Sequence, residues 1–205
     1  MKEKIRLNLG CASRPLEGYI NIDLDTKDKI IARYPNVKIP NNLDIFQYDI
    51  FNLPFDDCSV LEIRSESMLE HLSFLEEKNF FYEMQRVLAA GGILDFSVPD
   101  FEKTMKLWFQ AEDNWKDFFR DDDEAIKQQH WFGQYSYSTD NKWGYLTASI
   151  FGPQNSEGQF HKNCYTEKKI RNMMRFLNFE ILDMSFFRWK GDRDHMIRVR
   201  ASKIK

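Results

Sequence analysis

The sequence predicts an α/β fold with a mostly parallel sheet, helices on both faces and a C-terminal antiparallel hairpin. Two observations lead to this prediction. Strand and helix patterns alternate from residue 5 to residue 100, which is typical of parallel strands joined by helical crossovers. Near the C terminus, two β-rich runs flank a turn over residues 190–194. A turn between two such runs predicts antiparallel pairing at the end of the sheet.

The first two predicted strands carry the strongest functional signal. Ile5, Leu7 and Leu9 alternate with polar residues into Gly10, and residues 19–22 form a second β-rich run that ends at Asp23. In open parallel sheets, ligands bind at the carboxyl ends of neighbouring strands. A glycine there lets main-chain N–H groups approach a ligand, and an acid on the next strand can accept hydrogen bonds from a ribose diol. The pattern therefore predicts a nucleotide-type site.

The next elements follow in order to residue 100. Residues 26–34 predict a short helix, residues 43–50 a third strand, residues 52–57 a turn and residues 60–65 a fourth strand. Ser73 and Glu76 have the spacing of a capping box, so a helix is expected to start there. We expect it to continue through Ala90 and to end at Gly91 and Gly92. Residues 93–98 predict the fifth strand.

Residues 101–162 predict an insertion with a different character. They combine many aromatic residues with charged clusters and have little strand character, and we expect them to pack over the ligand edge of the sheet. Thr166 can then cap a helix that runs to about Leu177, with Asn178 in the left-handed conformation. Residues 179–189 and 195–201 are the two strands of the terminal hairpin.

Composition restricts the class of protein. The 205 residues suit one α/β domain with an insertion, and the net charge of −3 disfavours nucleic acids and anionic membranes as partners. Three well-separated cysteines without a CxxC pair argue against a disulfide framework and a zinc site and favour a reducing compartment. No apolar run approaches the ~20 residues of a membrane span, and the first strand starts too early for a signal peptide. We therefore expect a soluble, cytoplasmic protein.

Five short motifs occur in this order: Leu7-Asn-Leu-Gly10-Cys11, Gly18-Tyr-Ile-Asn-Ile-Asp23, Asp49-Ile50 with Leu53-Pro54-Phe55-Asp-Asp, Ser67-Met-Leu69-Glu70-His71, and Arg86-Val-Leu-Ala-Ala-Gly91-Gly92. Together they resemble the class I S-adenosylmethionine-dependent methyltransferases. The likeness is to the short methyltransferase-11-like group associated with glycan and polysaccharide modification. It implies a Rossmann-like sheet of seven strands, S-adenosylmethionine as cofactor and a glycan or small-molecule acceptor.

Two features depart from the usual pattern. Ala12 stands where the family has a second glycine, and alanine restricts positive φ. Asp23 follows Gly10 by 13 residues, against roughly 20 in a dinucleotide fingerprint, which disfavours both NAD and a full helix between the strands. Taken singly, Asp23 and Asp49 could also be helix caps or solvated loop acids. Their position at the ends of successive strands favours a cofactor role.

The resemblance assigns each part of the cofactor to particular residues. Gly10, Cys11 and Ala12 are expected to contact the methionine and ribose arm, Asp23 the ribose hydroxyls, and Asp49 with Ile50 the adenine. Ser65 and Glu66, at the end of the fourth strand, are expected near the methionine portion or the sulfonium, although Glu66 could instead face solvent.

A hydroxyl acceptor requires a group that helps to remove its proton. The first candidate is His161, which lies in a segment that resembles the family's His-Lys/Arg-x-x-Tyr run. The next candidates are Asp100, His71 and His130. Each of the four could equally be a capping or surface residue. No metal is expected, because Glu66, Glu70 and His71 are too close along one helix to converge easily on one ion. Four rings of the insertion could supply aromatic platforms for a sugar or simply bury the insertion: Trp131, Phe132, Tyr135 and Trp143.

The sequence therefore predicts O-methylation of a sugar hydroxyl of a glycan. A small aromatic metabolite or a nucleic-acid base is the alternative acceptor, although residues 65–68 do not resemble the Asx-Pro-Pro-aromatic run of amino-methylating nucleic-acid enzymes. A catalytically silent module that binds a partner protein is the third possibility. The sequence does not indicate an oligomeric state.

Overall fold

A computed structural model describes residues 5–110, 149–152, 154, 158–189 and 194–204. Seven strands in this part of the chain form one sheet. Their bounds are β1 Ile5–Leu9, β2 Ile20–Ile22, β3 Ile45–Phe46, β4 Val60–Glu66, β5 Leu88–Pro99, β6 Phe179–Trp189 and β7 Asp194–Lys203. The order across the sheet is β3-β2-β1-β4-β5-β7-β6. The predicted turn residues 190–193 lie outside the described residues.

The pairing directions confirm the predicted fold class. The four contacts among β1 to β5 are all parallel, whereas β7 is antiparallel to both β5 and β6. Leu9 of β1 is in register with Ile22 of β2 and with Ser65 of β4. Gly10, Asp23 and Glu66 therefore leave the sheet at the same edge. This edge is where the sequence predicts the cofactor.

The described helices are α1 Lys27–Arg33, α2 Phe74–Val87, α3 Phe101–Gln110 and α4 Glu167–Phe176, with one 3₁₀ turn at Leu69–His71. The predicted caps are present. Thr26 and Thr166 each accept a main-chain hydrogen bond at a helix start, and Ser73 forms the capping box with Glu76. Asn178 adopts the expected left-handed conformation, with φ of 54°. No described helix is both long and apolar enough to cross a membrane.

Aliphatic and aromatic side chains of the central strands form the core together with α2 and α4. Leu7 and Leu9 of β1 are fully buried, as are Phe80 and Met84 of α2 and Ile170 of α4. These residues belong to one contiguous hydrophobic cluster. The burial of β1 on this scale anchors the loop that follows it, because the strand cannot shift without exposing apolar surface to water.

Two predicted elements differ from the structure. Helix α2 ends at Val87, because the buried Leu88 already pairs with Val60 in the β4–β5 ladder. The next pair joins Glu62 to Ile93, so residues 89–92 form an irregularity in β5 in place of a helix cap. The third strand is also shorter than predicted, since β3 covers Ile45–Phe46 and Asp49 lies in a turn where its carboxylate accepts the N–H of Phe51.

Candidate active site

The loop after β1 folds tightly against β2 and the 3₁₀ turn. Gly10 has φ of +62°, and a Cβ atom there would lie 2.5 Å from Cγ of Met68. Only glycine combines this conformation with such a close approach. Ala12 also has a positive φ, 43°, which is uncommon for alanine. The position that the family fills with a second glycine thus keeps a glycine-like conformation in this chain.

Asp23 stabilises this loop directly. Its Oδ2 accepts the N–H of Ala12 at 2.8 Å, and its Oδ1 accepts the N–H of Asp25 at 3.0 Å. An ionised carboxylate has about four lone-pair sites, so two main-chain hydrogen bonds leave acceptor capacity for a ligand. The predicted acid therefore lies at the predicted edge and also organises the loop beside it.

Two buried asparagines replace a helix in the short connection between β1 and β2. The Asn8 amide donates to Oδ1 of Asn21 at 2.9 Å and to the Arg14 carbonyl at 3.1 Å. The Asn21 side chain accepts the Leu16 N–H at 2.7 Å and donates to the Leu16 carbonyl at 3.1 Å. The sequence pattern alone predicts no site role for either residue. Their signal is a polar residue at an otherwise apolar, buried strand position, which requires hydrogen-bond partners.

A first cavity of ≈ 310 Å³ opens beside this loop. Five of the eight residues predicted to bind the cofactor line it: Gly10, Ala12, Asp23, Asp49 and Ile50. Other described residues complete its walls: Leu24, Asp25, Arg33, Tyr48, Phe51, Ser67, Met68, His71, Leu72, Glu76, Gly158, Gln159 and Lys162. Most of these could not be predicted, because they come from loops that meet only in the folded chain.

The other three predicted cofactor residues are not among the lining residues of the first cavity. The Cys11 side chain is buried, and burial raises the pKa of its thiol to about 12. Ser65 is buried at the end of β4. Glu66 forms ion pairs with Arg14, at 3.1 Å, and with Arg64, because β4 brings it next to both guanidinium groups.

A second cavity of ≈ 310 Å³ lies beside the carboxyl end of β5. Its lining is largely apolar, with Phe74, Phe101, Ile150 and Phe151 among its walls. The remaining described lining residues are Glu70, Pro99, Thr104, Ser149, His161, Lys162, Asn163, Cys164 and Tyr165. Lys162 lines both cavities, so the two share a wall.

A histidine pair lies at the boundary of the two cavities. His71 lines the first cavity and His161 the second, with ring centroids 4.9 Å apart in an edge-to-face arrangement. Burial, followed by the neighbouring His161, lowers the pKa of His71 to about 4. Burial also lowers the pKa of His161. Both imidazoles are therefore neutral at pH 7.

Each histidine presents Nε2 as its acceptor atom. Nδ1 of His71 lies 3.0 Å from the Phe160 carbonyl oxygen, and Nδ1 of His161 lies 3.0 Å from the Ser149 carbonyl oxygen. A carbonyl oxygen only accepts, so a neutral ring must carry its proton on Nδ1 and keep the lone pair on Nε2. The pair can accept a proton or bind a cation.

The structure separates Asp100, the next proton-acceptor candidate, from this pair. Asp100 accepts the Lys103 N–H at 2.9 Å and so caps the first turn of α3. It is not among the lining residues of either cavity. His130 and the four aromatic residues singled out in the insertion, Trp131, Phe132, Tyr135 and Trp143, lie outside the described residues.

Comparison with known sequences gives one family match. Residues 7–96, which span β1 to most of β5, match the family model of a methyltransferase domain. No curated protein matches the chain. The match covers 90 of the 205 residues, and together with the fold it supports an S-adenosylmethionine-dependent methyltransferase.

Solved methyltransferase structures share the fold over the whole chain. A Methanosarcina mazei S-adenosylmethionine-dependent methyltransferase is 18% identical with a TM-score of 0.60, covering 100% of this chain and 94% of that one. A second neighbour is the Burkholderia thailandensis 1,6-didemethyltoxoflavin-N1-methyltransferase with bound 1,6-didemethyltoxoflavin and S-adenosylhomocysteine. It is 10% identical with a TM-score of 0.55, and the match covers 100% of this chain and 72% of that one. A Haloferax volcanii complex of the Trm112 methyltransferase activator with a methyltransferase is 12% identical with a TM-score of 0.56, and the match covers 100% of this chain and 84% of that one.

Proposed function

We propose that the protein is an O-methyltransferase that binds S-adenosylmethionine in the first cavity and a sugar hydroxyl of a glycan in the second. The observation that carries this proposal is the shared wall at Lys162 and the histidine pair. Methyl transfer is an in-line displacement, so its main requirement is a donor and an acceptor held on opposite sides of one boundary.

The first cavity offers suitable groups for each part of the cofactor. Asp23 keeps lone pairs for the ribose hydroxyls after its two main-chain hydrogen bonds. Tyr48, Ile50 and Phe51 provide apolar surface beside Asp49 for the adenine. Gly10 and Ala12 bring the main chain next to the methionine arm. In this proposal Cys11, Ser65 and Glu66 support the cavity from behind, in place of the direct contacts that the sequence predicts for them.

The histidine pair is suited to activating the acceptor hydroxyl. Removal of the hydroxyl proton strengthens the nucleophile as the methyl group arrives. We assign His161 and His71 to this step, because both rings are neutral and present Nε2 at the cavity boundary. Asp100 is instead assigned to the start of α3, since its carboxylate is already used there.

The second cavity suits a ligand with both apolar and polar faces. Phe74, Phe101 and Phe151 can pack against the C–H faces of a sugar ring, while Lys162 and Asn163 can bond to its hydroxyls. The insertion, residues 101–162, contributes α3 and residues 149–151 to this cavity. The same apolar lining also favours a second candidate, a hydroxylated aromatic metabolite, and the Burkholderia thailandensis neighbour acts on a small molecule.

Transfer of labelled methyl groups tests the acceptor class. The protein is incubated with methyl-tritiated S-adenosylmethionine and separate pools of oligosaccharides, free sugars, phenols and nucleosides. We expect label in the sugar pools, as methyl ethers found after methanolysis. Label in the phenol pool alone would support the aromatic metabolite. Cofactor binding without transfer to any pool would support a silent binding module.

The role of the histidine pair is tested by His161→Asn, which keeps an amide that can donate to the Ser149 carbonyl. We expect turnover to fall roughly 10²- to 10⁴-fold, the usual contribution of a proton-transfer group, with unchanged cofactor affinity by calorimetry. His195→Asn is the matched control, since His195 lies on β7 and is not among the lining residues of the two cavities. Full turnover by His161→Asn would remove His161 from the mechanism.

A further inference from the structure

Three metal-ligating side chains converge at the boundary of the two cavities. Glu70, His71 and His161 each place one ligand atom within 4.8 Å of the other two. Donor atoms bound to one zinc ion lie ~3–4 Å apart, since each bond is ~2.0–2.2 Å long. Small side-chain rotations would therefore bring all three onto one ion. The sequence predicts no metal because Glu66, Glu70 and His71 lie close along the chain, whereas this cluster takes its third ligand, His161, from the segment before α4.

The side chains are held in place before any ion binds. Each histidine Nδ1 is bonded to a main-chain carbonyl, that of Phe160 or of Ser149, at 3.0 Å. Such an outer hydrogen bond fixes the orientation of a metal-binding imidazole and is typical of metal sites. Gly152 adds to this restraint, because a Cβ atom there would lie 2.9 Å from Cδ2 of His161. The His161 ring therefore lies directly against the main chain at residue 152.

Main-chain hydrogen bonds join the two segments that carry the ligands. The Glu70 carbonyl accepts the N–H of Lys162 at 2.8 Å and of Asn163 at 3.1 Å. The Tyr165 hydroxyl donates to the Leu69 carbonyl at 3.3 Å. Three hydrogen bonds thus join the 3₁₀ turn to the segment before α4. A site assembled in this way loses little conformational entropy when an ion binds.

The chemistry of the cluster matches a divalent transition metal. Two neutral imidazoles and one carboxylate carry a formal charge of −1 between them when the carboxylate is ionised. Glu70 is only 3% exposed, so a nearby dication would stabilise its charged form. Imidazole nitrogen suits zinc, iron and nickel, whereas magnesium prefers an all-oxygen shell. Two histidines with one glutamate is also a known ligand set of catalytic zinc sites with an open fourth position.

We propose that Glu70, His71 and His161 bind one divalent transition-metal ion of the zinc type. Its open position faces the boundary of the two cavities. There the ion would bind the acceptor hydroxyl and lower its pKa, so that the oxygen attacks as an alkoxide. The O–C bond to the methyl group would form as the S–C bond of the cofactor breaks, and the demethylated cofactor would leave as a neutral thioether. Because both histidine Nε2 atoms would then be bound to the ion, the hydroxyl proton would leave to solvent, and the histidines would act through the metal in place of accepting the proton directly. This role rests on the proposed function, whereas the binding of the ion does not.

Metal binding is measured on the purified full chain. After dialysis against a chelator, ZnCl₂, MnCl₂ and MgCl₂ are titrated separately by calorimetry, and CoCl₂ is followed by visible absorption. We expect one zinc ion per chain, a cobalt spectrum of low coordination number that zinc abolishes, and no binding of magnesium. A folded wild-type protein that binds neither zinc nor cobalt would overturn the proposal.

Variants then locate the ion. Zinc binding should weaken in His71→Asn, His161→Asn and Glu70→Gln. The two histidine variants should lose more than about 100-fold in zinc affinity, because loss of a hydrogen-bond partner of a ligand already costs roughly 10- to 100-fold. His195→Asn is the control and should bind zinc as the wild type does. Circular dichroism and cofactor affinity show that each variant is folded. Folded histidine variants that keep wild-type zinc affinity would place the ion elsewhere and refute this site.

Activity separates the failure of this inference from the failure of the proposed function. If methyl transfer to the sugar pools occurs and is unaffected by complete metal removal, the assigned role of the metal is wrong and the proposed function stands. If one zinc ion binds and is lost in the histidine variants, but no pool is methylated, the site is supported and the proposed function is wrong.

Discussion

Asp23 illustrates how one side chain can serve both the loop and the ligand. Its two oxygens accept main-chain N–H groups of Ala12 and Asp25. These hydrogen bonds stabilise the positive φ of Ala12, a conformation that costs alanine about 1–2 kcal/mol. The acid therefore compensates for the missing second glycine. Its remaining lone pairs face the first cavity, which it lines.

The first prediction concerns the substitution Asp23→Ala. It removes the hydrogen bond to Ala12 and the proposed contact to the ribose, so we expect cofactor binding to weaken by about 1–3 kcal/mol, or roughly 5- to 150-fold. Isothermal titration calorimetry with S-adenosylmethionine measures this change. Asp44→Ala is the control, because Asp44 is exposed. Equal affinity of the wild type and Asp23→Ala would exclude Asp23 from the cofactor site.

The second prediction compares two glycines with similar backbone conformations. Gly10 and Gly18 have φ of +62° and +77°, but an added Cβ atom meets Met68 at residue 10 and nothing within 4 Å at residue 18. Gly18→Ala should lower the free energy of unfolding by about 1–2 kcal/mol from backbone strain. Gly10→Ala should lose about 1–3 kcal/mol more from overlap and should also weaken cofactor binding. Urea denaturation measures the loss of stability in each variant. Equal losses in Gly10→Ala and Gly18→Ala would show that Met68 moves aside freely.

At the scale of elements, the antiparallel β7 completes the sheet beside β5 and carries its own electrostatic contact. Arg198 of β7 forms two hydrogen bonds with Asp95 of β5, at 2.9 and 2.6 Å. The Asp95 side chain is 7% exposed and that of Arg198 is 43% exposed. A buried carboxylate with a bidentate partner is stabilising mainly because its removal leaves polar groups unsatisfied.

The third prediction follows from this pair. Asp95→Asn removes the charge and one of the two acceptor atoms, so the free energy of unfolding should fall by about 1–2 kcal/mol, a value reduced for the partial exposure of Arg198. Glu180→Gln, at an exposed position of β6, should change it by less than about 0.5 kcal/mol. Chemical denaturation compares the variants. A stability equal to that of the wild type would show that the pair contributes nothing net.

At the scale of the whole molecule, two cavities meet at one wall on the carboxyl edge of the sheet. The loops after β1, β2 and β3 contribute only to the first, and the end of β5, α3 and residues 149–151 only to the second. The turn after β4 and the segment before α4 contribute to both. In parallel sheets this edge collects loops that are far apart in sequence. The two halves of the proposed reaction therefore use different loops of this edge and share the turn after β4 and the segment before α4.

The fourth prediction uses the three cysteines as probes of this arrangement. Cys11 is buried with a raised pKa, whereas Cys58 and Cys164 are exposed. We expect two thiols per folded chain to react with a disulfide reagent, and the third to react only in denaturant. Because Cys164 lines the second cavity, a bulky maleimide should block methyl transfer while leaving cofactor affinity unchanged. Cys164→Ser should protect methyl transfer from the maleimide, whereas Cys58→Ser should not. A fall in cofactor affinity after labelling would contradict the separation of the two cavities.

Much of the fold and part of the site follow from local sequence. Alternation in β1, the capping box at Ser73 and the left-handed Asn178 depend on residues a few positions apart, so their physics is visible in the sequence. The edge position of Gly10, Asp23 and Asp49 follows from parallel strands ending together. The end of α2 could not be predicted, because the pairing of Leu88 with Val60 outweighs the local signal of Gly91 and Gly92.

By itself, the sequence determined the class of fold and the position of Gly10, Asp23 and Asp49 at one edge of the sheet, since strand ends and the residues after them are adjacent in the chain. Only the tertiary structure decided the boundary between the two cavities. His71 contacts the carbonyl of Phe160, which is 89 positions away in the sequence. Its ring also packs against that of His161, the residue after Phe160. Such a meeting depends on main-chain hydrogen bonds between a 3₁₀ turn and a distant loop, which no local pattern encodes.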